Sequence, residues 1–256
     1  MKLFSSLILL FAMLFLGFKQ ADKKPTLYII GDSTVRNGDG TGKGSLWGWG
    51  SVISPYFDTN QIAIRNHAMG GRSSRTFITE GRWETIMKTL SKGDYVIMQF
   101  GHNDASPLDD TARARGTIKG VGNDSVATYN PIRKMNETVY SYGYYLRKYV
   151  NEAKSKGAIP IICSPVPRES WKKGKIDRTE YSTWSKQIAD ETGAYFIPLN
   201  ELIATTYEGM DTASVHTFFP TDHTHTNLPG AELNARKVKE GIEALPNCTL
   251  RNYLRR

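Results

Sequence analysis

The 256-residue chain carries 33 Lys and Arg against 25 Asp and Glu, a net charge of +8, with 39% hydrophobic and 23% charged residues. That balance excludes a disordered, collagenous or disulfide-scaffold protein and suits a large domain with a sizeable core. The positive excess leaves three readings of the surface: nucleic-acid binding, attraction of an acidic polysaccharide, or simple solubility.

In chain order, residues 1–22 read as an export signal. Lys2 precedes an apolar run from Leu7 to Phe18, which is too short to span a bilayer comfortably. Export to the periplasm or beyond the cell makes an acidic polysaccharide a better partner than nucleic acid. A single domain is expected over 25–256. Short apolar runs predict strands at Leu27 to Ile30, Ile62 to Ile64, Tyr95 to Phe100, Ile159 to Cys163 and Ala194 to Ile197. Helical spacing follows at Leu46 to Phe57, Trp83 to Leu90, Ile132 to Lys154, Tyr181 to Thr192 and Ala231 to Leu245. Five strands alternating with helices predict an α/β fold with a parallel sheet covered on both faces. In such sheets sites gather at the carboxyl ends of strands, so Ser33, Gly71 and Asn103 should emerge along one edge.

Residues 105–130 form the longest irregular stretch, a loop of functional size. Tyr140, Tyr142, Tyr144, Tyr145 and Tyr149 are placed on one long helix, where packing against the sheet explains them better than a sugar platform does. Cys163 lies inside an apolar strand. It suits a buried thiol as well as a bridge to Cys248.

Three strings carry chemistry: Gly31-Asp32-Ser33-Thr34, Gly101-His102-Asn103-Asp104 and Asp222-His223-Thr224-His225, with Gly70-Gly71-Arg72-Ser73 between the first two. Serine is a weak nucleophile and needs a base within reach and donors for the oxyanion. Ser33, following the first strand, is the nucleophile candidate; the alternative is that Asp32-Ser33-Thr34 caps a helix. His225 three residues after Asp222 lets the carboxylate hold Nδ1–H and frees Nε2 to take the serine proton. The alternative there is a metal held by Asp222, His223 and His225. Asn103 offers an amide donor and Gly71 an unshielded backbone N–H, and with the Ser33 N–H they make an oxyanion hole; as an alternative, both glycine and asparagine pairs form turns. Gly-x-Ser-x-Gly is absent, and Gly38, Gly40, Gly42 and Gly44 lack phosphate-loop spacing.

In these blocks, in order, the chain resembles the SGNH (GDSL-type) hydrolases. The longer strings Gly31 to Asn37, Gly70 to Thr76, Gln99 to Asp104 and Asp222 to Thr226 resemble rhamnogalacturonan acetylesterases, carbohydrate esterase family twelve. The resemblance implies a three-layer α/β/α sandwich with five parallel strands in flavodoxin-like order. It also implies Ser33 as nucleophile, His225 as base and Asp222 as its orienter. Ser33, Gly71 and Asn103 become oxyanion donors, with no metal or organic cofactor. The implied reaction is removal of acetyl groups from galacturonate in pectic rhamnogalacturonan, while relatives sharing the blocks act on xylan and small acetylated compounds. From the residues themselves, Arg72, Arg75 and Arg168 follow strands at the active edge and could fork onto a uronate carboxylate, or else brace loops. Trp171 could stack on a sugar or close the core edge. Two further readings remain at this stage, a metal-dependent deacetylase and a non-catalytic glycan-binding protein.

Overall fold

The computed structural model describes residues 24–255, so the export segment read at 1–22 lies outside the described residues. The first strand, β1 (Thr26–Gly31), is followed by β2 (Ala63–Asn66), α1 (Ser74–Thr79), α2 (Arg82–Met87) and β3 (Tyr95–Gln99). A hairpin of β4 (Ser125–Asn130) and β5 (Met135–Tyr140) leads into α3 (Tyr142–Ser155) and β6 (Ile159–Cys163). A two-residue hairpin, β7 (Trp171–Lys172) and β8 (Lys175–Ile176), precedes α4 (Glu180–Thr192) and β9 (Tyr195–Ile197). Helices α5 (Leu199–Glu208), α6 (Thr212–His216) and α7 (Leu228–Ala244) complete the order.

The main sheet runs β2-β1-β3-β6-β9, and all four pairings are parallel. This is the expected five-stranded order. Side chains alternate across the sheet as strand geometry requires. Leu27, Ile29, Tyr95, Ile97 and Ile161 face a core completed by Leu199 and Ile203 of α5 and Val238 and Ile242 of α7. Tyr28, Ile30, Val96, Met98 and Ile162 face the other core, closed by Phe77, Trp83, Tyr149 and Ile188 from α1 to α4. Burial on both faces explains why the central strands read as unbroken apolar runs. Cys163 and Cys248 are both buried and unbridged, and burial pushes the Cys163 thiol far up from its ordinary value. Among the described residues no helix is long and apolar enough to cross a membrane.

Two expected helices differ in the structure. Leu46 to Phe57 folds as short 3-10 turns at Trp49–Ser51 and Ser54–Tyr56. Gly48 lies so close to the chain at Val35 and Arg36 that a Cβ there would collide with it, and Trp49 and Gly50 donate backbone hydrogen bonds to Thr34 and Val35 carbonyls at 3.1 and 2.9 Å. Close packing under the turn after β1 thus overrides helical spacing. The expected helix Ile132 to Lys154 begins only at Tyr142, after Ser141 caps the Tyr144 N–H at 3.1 Å. Ile132 lies in the β4–β5 turn and Tyr140 is on β5, stacked on Tyr144 with ring centroids 4.0 Å apart. Asn130 Oδ1 accepts from the Ile132 and Arg133 amides at 2.9 Å each, a local closure that turns the chain back. Tyr142 and Tyr149 are buried against the main sheet, while Tyr145 is buried against the end of β5, its hydroxyl accepting from the Tyr140 amide at 3.2 Å.

Two buried ionisable side chains fasten the long loop and hairpin to α1. Arg75 is 1% exposed, pairs with Glu137 of β5, and donates to the Leu108 and Gly116 carbonyls at 2.9 and 2.8 Å. Asp104 is fully buried and accepts from the Ser74 amide at 3.2 Å, from the Ser74 hydroxyl, and from Thr117 at 3.4 Å. Burial raises its carboxyl, Asp32 adds to the rise, and the Ser74 bonds only partly offset it, leaving it at about 7.

Two outcomes follow for stability. Gly48→Ala should cost about 1–3 kcal/mol in urea unfolding through overpacking against Val35. Asp104 holds its proton in the native state up to about pH 7, whereas an unfolded aspartate releases it near pH ~4. Its contribution is therefore complete below pH ~4 and lost as pH rises through about 7. Urea midpoints taken from pH 4 to pH 8 should show this fall in the wild type and a flatter profile in Asp104→Asn.

Candidate active site

The nucleophile candidate sits where β1 runs out. The chain turns at once: Val35 and Arg36 amides donate to the Asp32 carbonyl at 3.2 and 3.0 Å, and Asp32 Oδ1 accepts from the Thr34 amide at 2.9 Å and its hydroxyl at 2.7 Å. Asp32 therefore caps a turn, not a helix. The turn leaves Ser33 at its crest, facing a cleft.

His225 arrives from the far end of the chain on a loop without regular structure before α7. Its Nδ1–H donates to Asp222 Oδ2 at 2.7 Å, and its Nε2 lies 2.8 Å from Ser33 Oγ. With Nδ1 committed as donor, Nε2 is the acceptor for the serine hydroxyl. Asp222 Oδ1 accepts from the Thr224 and His225 amides at 2.6 and 2.8 Å. Partial burial pushes the Asp222 carboxyl up, but the His225 ring and these amides outweigh it and hold the group below its ordinary value.

Gly71 and Asn103 line the same cleft, of about 590 Å3, with Ser33 and His225. Gly71 adopts φ 78°, and a Cβ there would collide with the Arg113 guanidinium. Asn103 donates one amide hydrogen to the Arg72 carbonyl at 3.0 Å. Among the described residues no protein acceptor takes its second amide hydrogen, the Ser33 N–H or the Gly71 N–H. A site with three uncommitted donors around one hydroxyl can stabilise negative charge developing on a bound carbonyl.

The other expected contacts divide. Arg168 lines the cleft and donates to the Thr224 hydroxyl. Arg72 is turned away, its Nε 3.0–3.1 Å from both Glu80 oxygens, and Arg75 is buried on Glu137, so both brace loops. Trp171 is on β7 and packs against the core instead of the cleft, with its Nε1 buried. His223 points its Nδ1 at Glu169, 3.0 Å away, so it does not join Asp222 and His225, and no group of three possible metal ligands forms among the described residues. Sequence reasoning missed Arg113 and Arg115, which line the cleft from the loop after β3. Their only sequence signal was two like charges in a long loop at the active edge.

The whole arrangement has relatives. Residues 29–233 match the model of the GDSL-like lipase/acylhydrolase family. A rhamnogalacturonan acetylesterase of Emericella nidulans is 32% identical over 213 residues, covering 82% of this chain and 81% of that protein. A probable rhamnogalacturonan acetylesterase of Bacillus subtilis, YesY, is 32% identical over 227 residues, covering 86% and 93%. Among solved structures, Bacillus subtilis YxiM superposes with TM-score 0.69 at 25% identity, covering 86% of this chain and 56% of that one. The acetylxylan esterase Axe2 of Geobacillus stearothermophilus shares the fold, with TM-score 0.59 at 22% identity over 85% and 93%. With its pattern matched over most of its length, the chain belongs to the GDSL-like lipase/acylhydrolase family.

Proposed function

We propose that the protein is a serine O-acetylesterase acting on an acetylated acidic polysaccharide of the plant cell wall, rhamnogalacturonan first among them. The observation that carries this reading is the 2.8 Å approach of His225 Nε2 to Ser33 Oγ with Asp222 on the opposite ring nitrogen. Ser33 Oγ attacks the acetyl carbonyl as its proton passes to His225 Nε2. The Ser33 and Gly71 amides and the free hydrogen of Asn103 receive the oxyanion. When the tetrahedral species collapses, His225 returns the proton to the departing sugar oxygen, leaving an acetyl group on Ser33. Water, deprotonated by the same imidazole, then releases acetate and restores the serine. Asp222 holds the tautomer that makes each transfer possible and stabilises the imidazolium between them. No step calls for a metal or an organic cofactor.

Substrate charge supports the acidic glycan. Arg113, Arg115 and Arg168 converge on the cleft, and Arg113 and Arg168 meet no carboxylate among the described residues. A guanidinium fork suits the carboxylate of a uronate next to the ester. This moves the expected carboxylate contact from Arg72 and Arg75 to the loop after β3. The rhamnogalacturonan acetylesterase of Emericella nidulans and the probable one of Bacillus subtilis, both 32% identical to the chain, support the same reading. A pectic substrate lies outside the cell, which agrees with residues 1–22 acting as an export signal.

The test is acetate release from acetylated rhamnogalacturonan, homogalacturonan and xylan side by side. Ser33→Ala should lower kcat on the order of 10^4-fold or more and abolish labelling by a fluorophosphonate. Near-normal turnover by that variant would end the serine mechanism. Asn103→Ala should lower kcat by about 10²–10³ with the nucleophile still labelled. Arg113→Gln should raise KM for acetylated rhamnogalacturonan several-fold more than for acetylated xylan, about 1 kcal/mol of differential binding.

A further inference from the structure

The Ser33 cleft continues past the serine in two directions. On one side it shares Gly71 and Arg113 with a recess of about 280 Å3 that reaches Thr76 and Ile132. On the other it shares His102 and Arg168 with a cavity of about 400 Å3. The serine thus lies in the middle of a run of three recesses along the carboxyl edge of the sheet. Such a track accommodates a chain that passes through; a lone ester needs only its middle.

The 400 Å3 cavity differs in chemistry from the cleft it adjoins. Of its cations only Arg168, at the border shared with the cleft, lacks a carboxylate among the described residues: Lys172 pairs with Asp177 at 2.6 Å, and Arg178 is held by Glu208 and, at 2.9 Å, by Glu201. Pro165, Val166 and Tyr181 give its lining one apolar face. The Tyr181 ring is fixed edge-on between Tyr142 and Trp184, with centroids 4.9 and 4.8 Å away. Ser170, Thr179, Glu180, Asn200 and the Lys172–Asp177 pair make much of the remaining lining polar. One apolar face set among paired charges and hydrogen-bonding groups matches the C–H face and hydroxyls of an uncharged pyranose, whereas the guanidinium groups without carboxylate partners in the cleft match a carboxylate.

We propose that this cavity is a binding subsite for a neutral sugar residue adjoining the one that carries the ester, so that the serine works on residues inside a chain. The proposal rests on the acetylesterase reading above. It assigns the uronate to the Arg113 and Arg168 side of the cleft and its uncharged neighbour to the cavity behind His102.

The experiment blocks the cavity. Ala105 is exposed and lines it, as does Lys172, so Ala105→Trp and Lys172→Trp fill its space without touching the core. Three substrates are compared: p-nitrophenyl acetate, an O-acetylated uronic acid monosaccharide, and an oligosaccharide with neutral sugars flanking the acetylated uronate. In the wild type, kcat/KM should rise about tenfold or more from the monosaccharide to the oligosaccharide. Both variants should lose most of that gain, through KM, with a loss on the oligosaccharide at least about tenfold greater than on p-nitrophenyl acetate. No chain-length gain in the wild type, or equal losses on both substrates, overturns the subsite. Failure of the wild type to hydrolyse p-nitrophenyl acetate in a Ser33-dependent manner overturns the acetylesterase reading instead. Ser33-dependent hydrolysis with no chain-length effect removes the subsite and leaves that reading standing.

Discussion

A chain of buried hydrogen bonds beneath the nucleophile turn is the constraint on which the site depends. Trp49 Nε1 donates to Gln99 Oε1 at 2.8 Å, Gln99 Nε2 to the Thr34 hydroxyl at 2.7 Å, and that hydroxyl to Asp32 Oδ1 at 2.7 Å. His102 Nδ1 then faces Asp32 Oδ2 at 3.1 Å, and His102 Nε2–H donates to the Val166 carbonyl at 2.9 Å. The chain links the ends of β1, β3 and β6 in one line. Asp32 has no solvent exposure, and burial alone would raise its carboxyl; the His102 charge and the bonds from His102 and Thr34 outweigh that and leave it below its ordinary value. A buried carboxylate so fully engaged resists rearrangement, because losing one partner strands a charge in a dry interior. Ser33 and Asn103 are therefore each one residue from a group fixed in this line.

Parallel topology does the rest of the positioning. Because every strand of the main sheet points the same way, the segments leaving β1, β2 and β3 open on one edge, which brings Ser33, Gly71 and Asn103 together although each comes from a separate string. Strand register sets their heights: Gly31 pairs with Gln99, so the turn after β1 and the turn after β3 start level. Packing of Gly48 and Gly50 against Val35 then presses the first turn from behind. The candidate oxyanion donors are thus positioned by the strand ends, and in the proposed reaction they would need no reorganisation when charge develops.

What could be read from residue order was whatever is local. The core strands announced themselves because burial on both faces removes polar alternation. Asp222 and His225 are three apart, so their contact follows from a single loop. The meeting of Ser33 with His225 spans 192 residues and is a product of the whole fold; there the strings could be joined only through the chemistry a serine nucleophile requires and the resemblance of their order to a family. Leu46 to Phe57 misled because its apolar spacing is helical, while its glycines serve contacts with a turn that is distant in pattern. The hairpin at Ser125–Asn130 and Met135–Tyr140 was hidden for a similar reason: its fastening is Arg75 to Glu137, a pair that sequence periodicity does not encode. Arg113 reaches the cleft because Asp110 Oδ1 accepts its amide at 3.0 Å and the Gly70 carbonyl its guanidinium at 3.3 Å, a local turn joined to a remote strand end.

The loop bearing Asp222 and His225 has no ladder of its own, and its order comes from side chains to either side. Glu169, 6% exposed at its side chain, takes His216 Nδ1 at 2.9 Å and His223 Nδ1 at 3.0 Å, while its own amide donates to the His223 carbonyl at 2.8 Å. Arg168 adds its bond to Thr224, and Trp47 exchanges hydrogen bonds with Thr226 at 2.8 and 3.2 Å. Fixing a loop residue costs about 1–2 kcal/mol of backbone entropy, so four such residues need several net bonds of about 1 kcal/mol each to stay ordered. That account closes only because the anchors lie on both flanks of His225. The imidazole is consequently held from the β6–β7 segment on one side and the 3-10 region on the other, the same two segments that Asp32 and His102 tie to the nucleophile turn. His225 and Ser33, the proposed base and nucleophile, share their supports, which is how a 2.8 Å contact survives between parts of the chain so far apart.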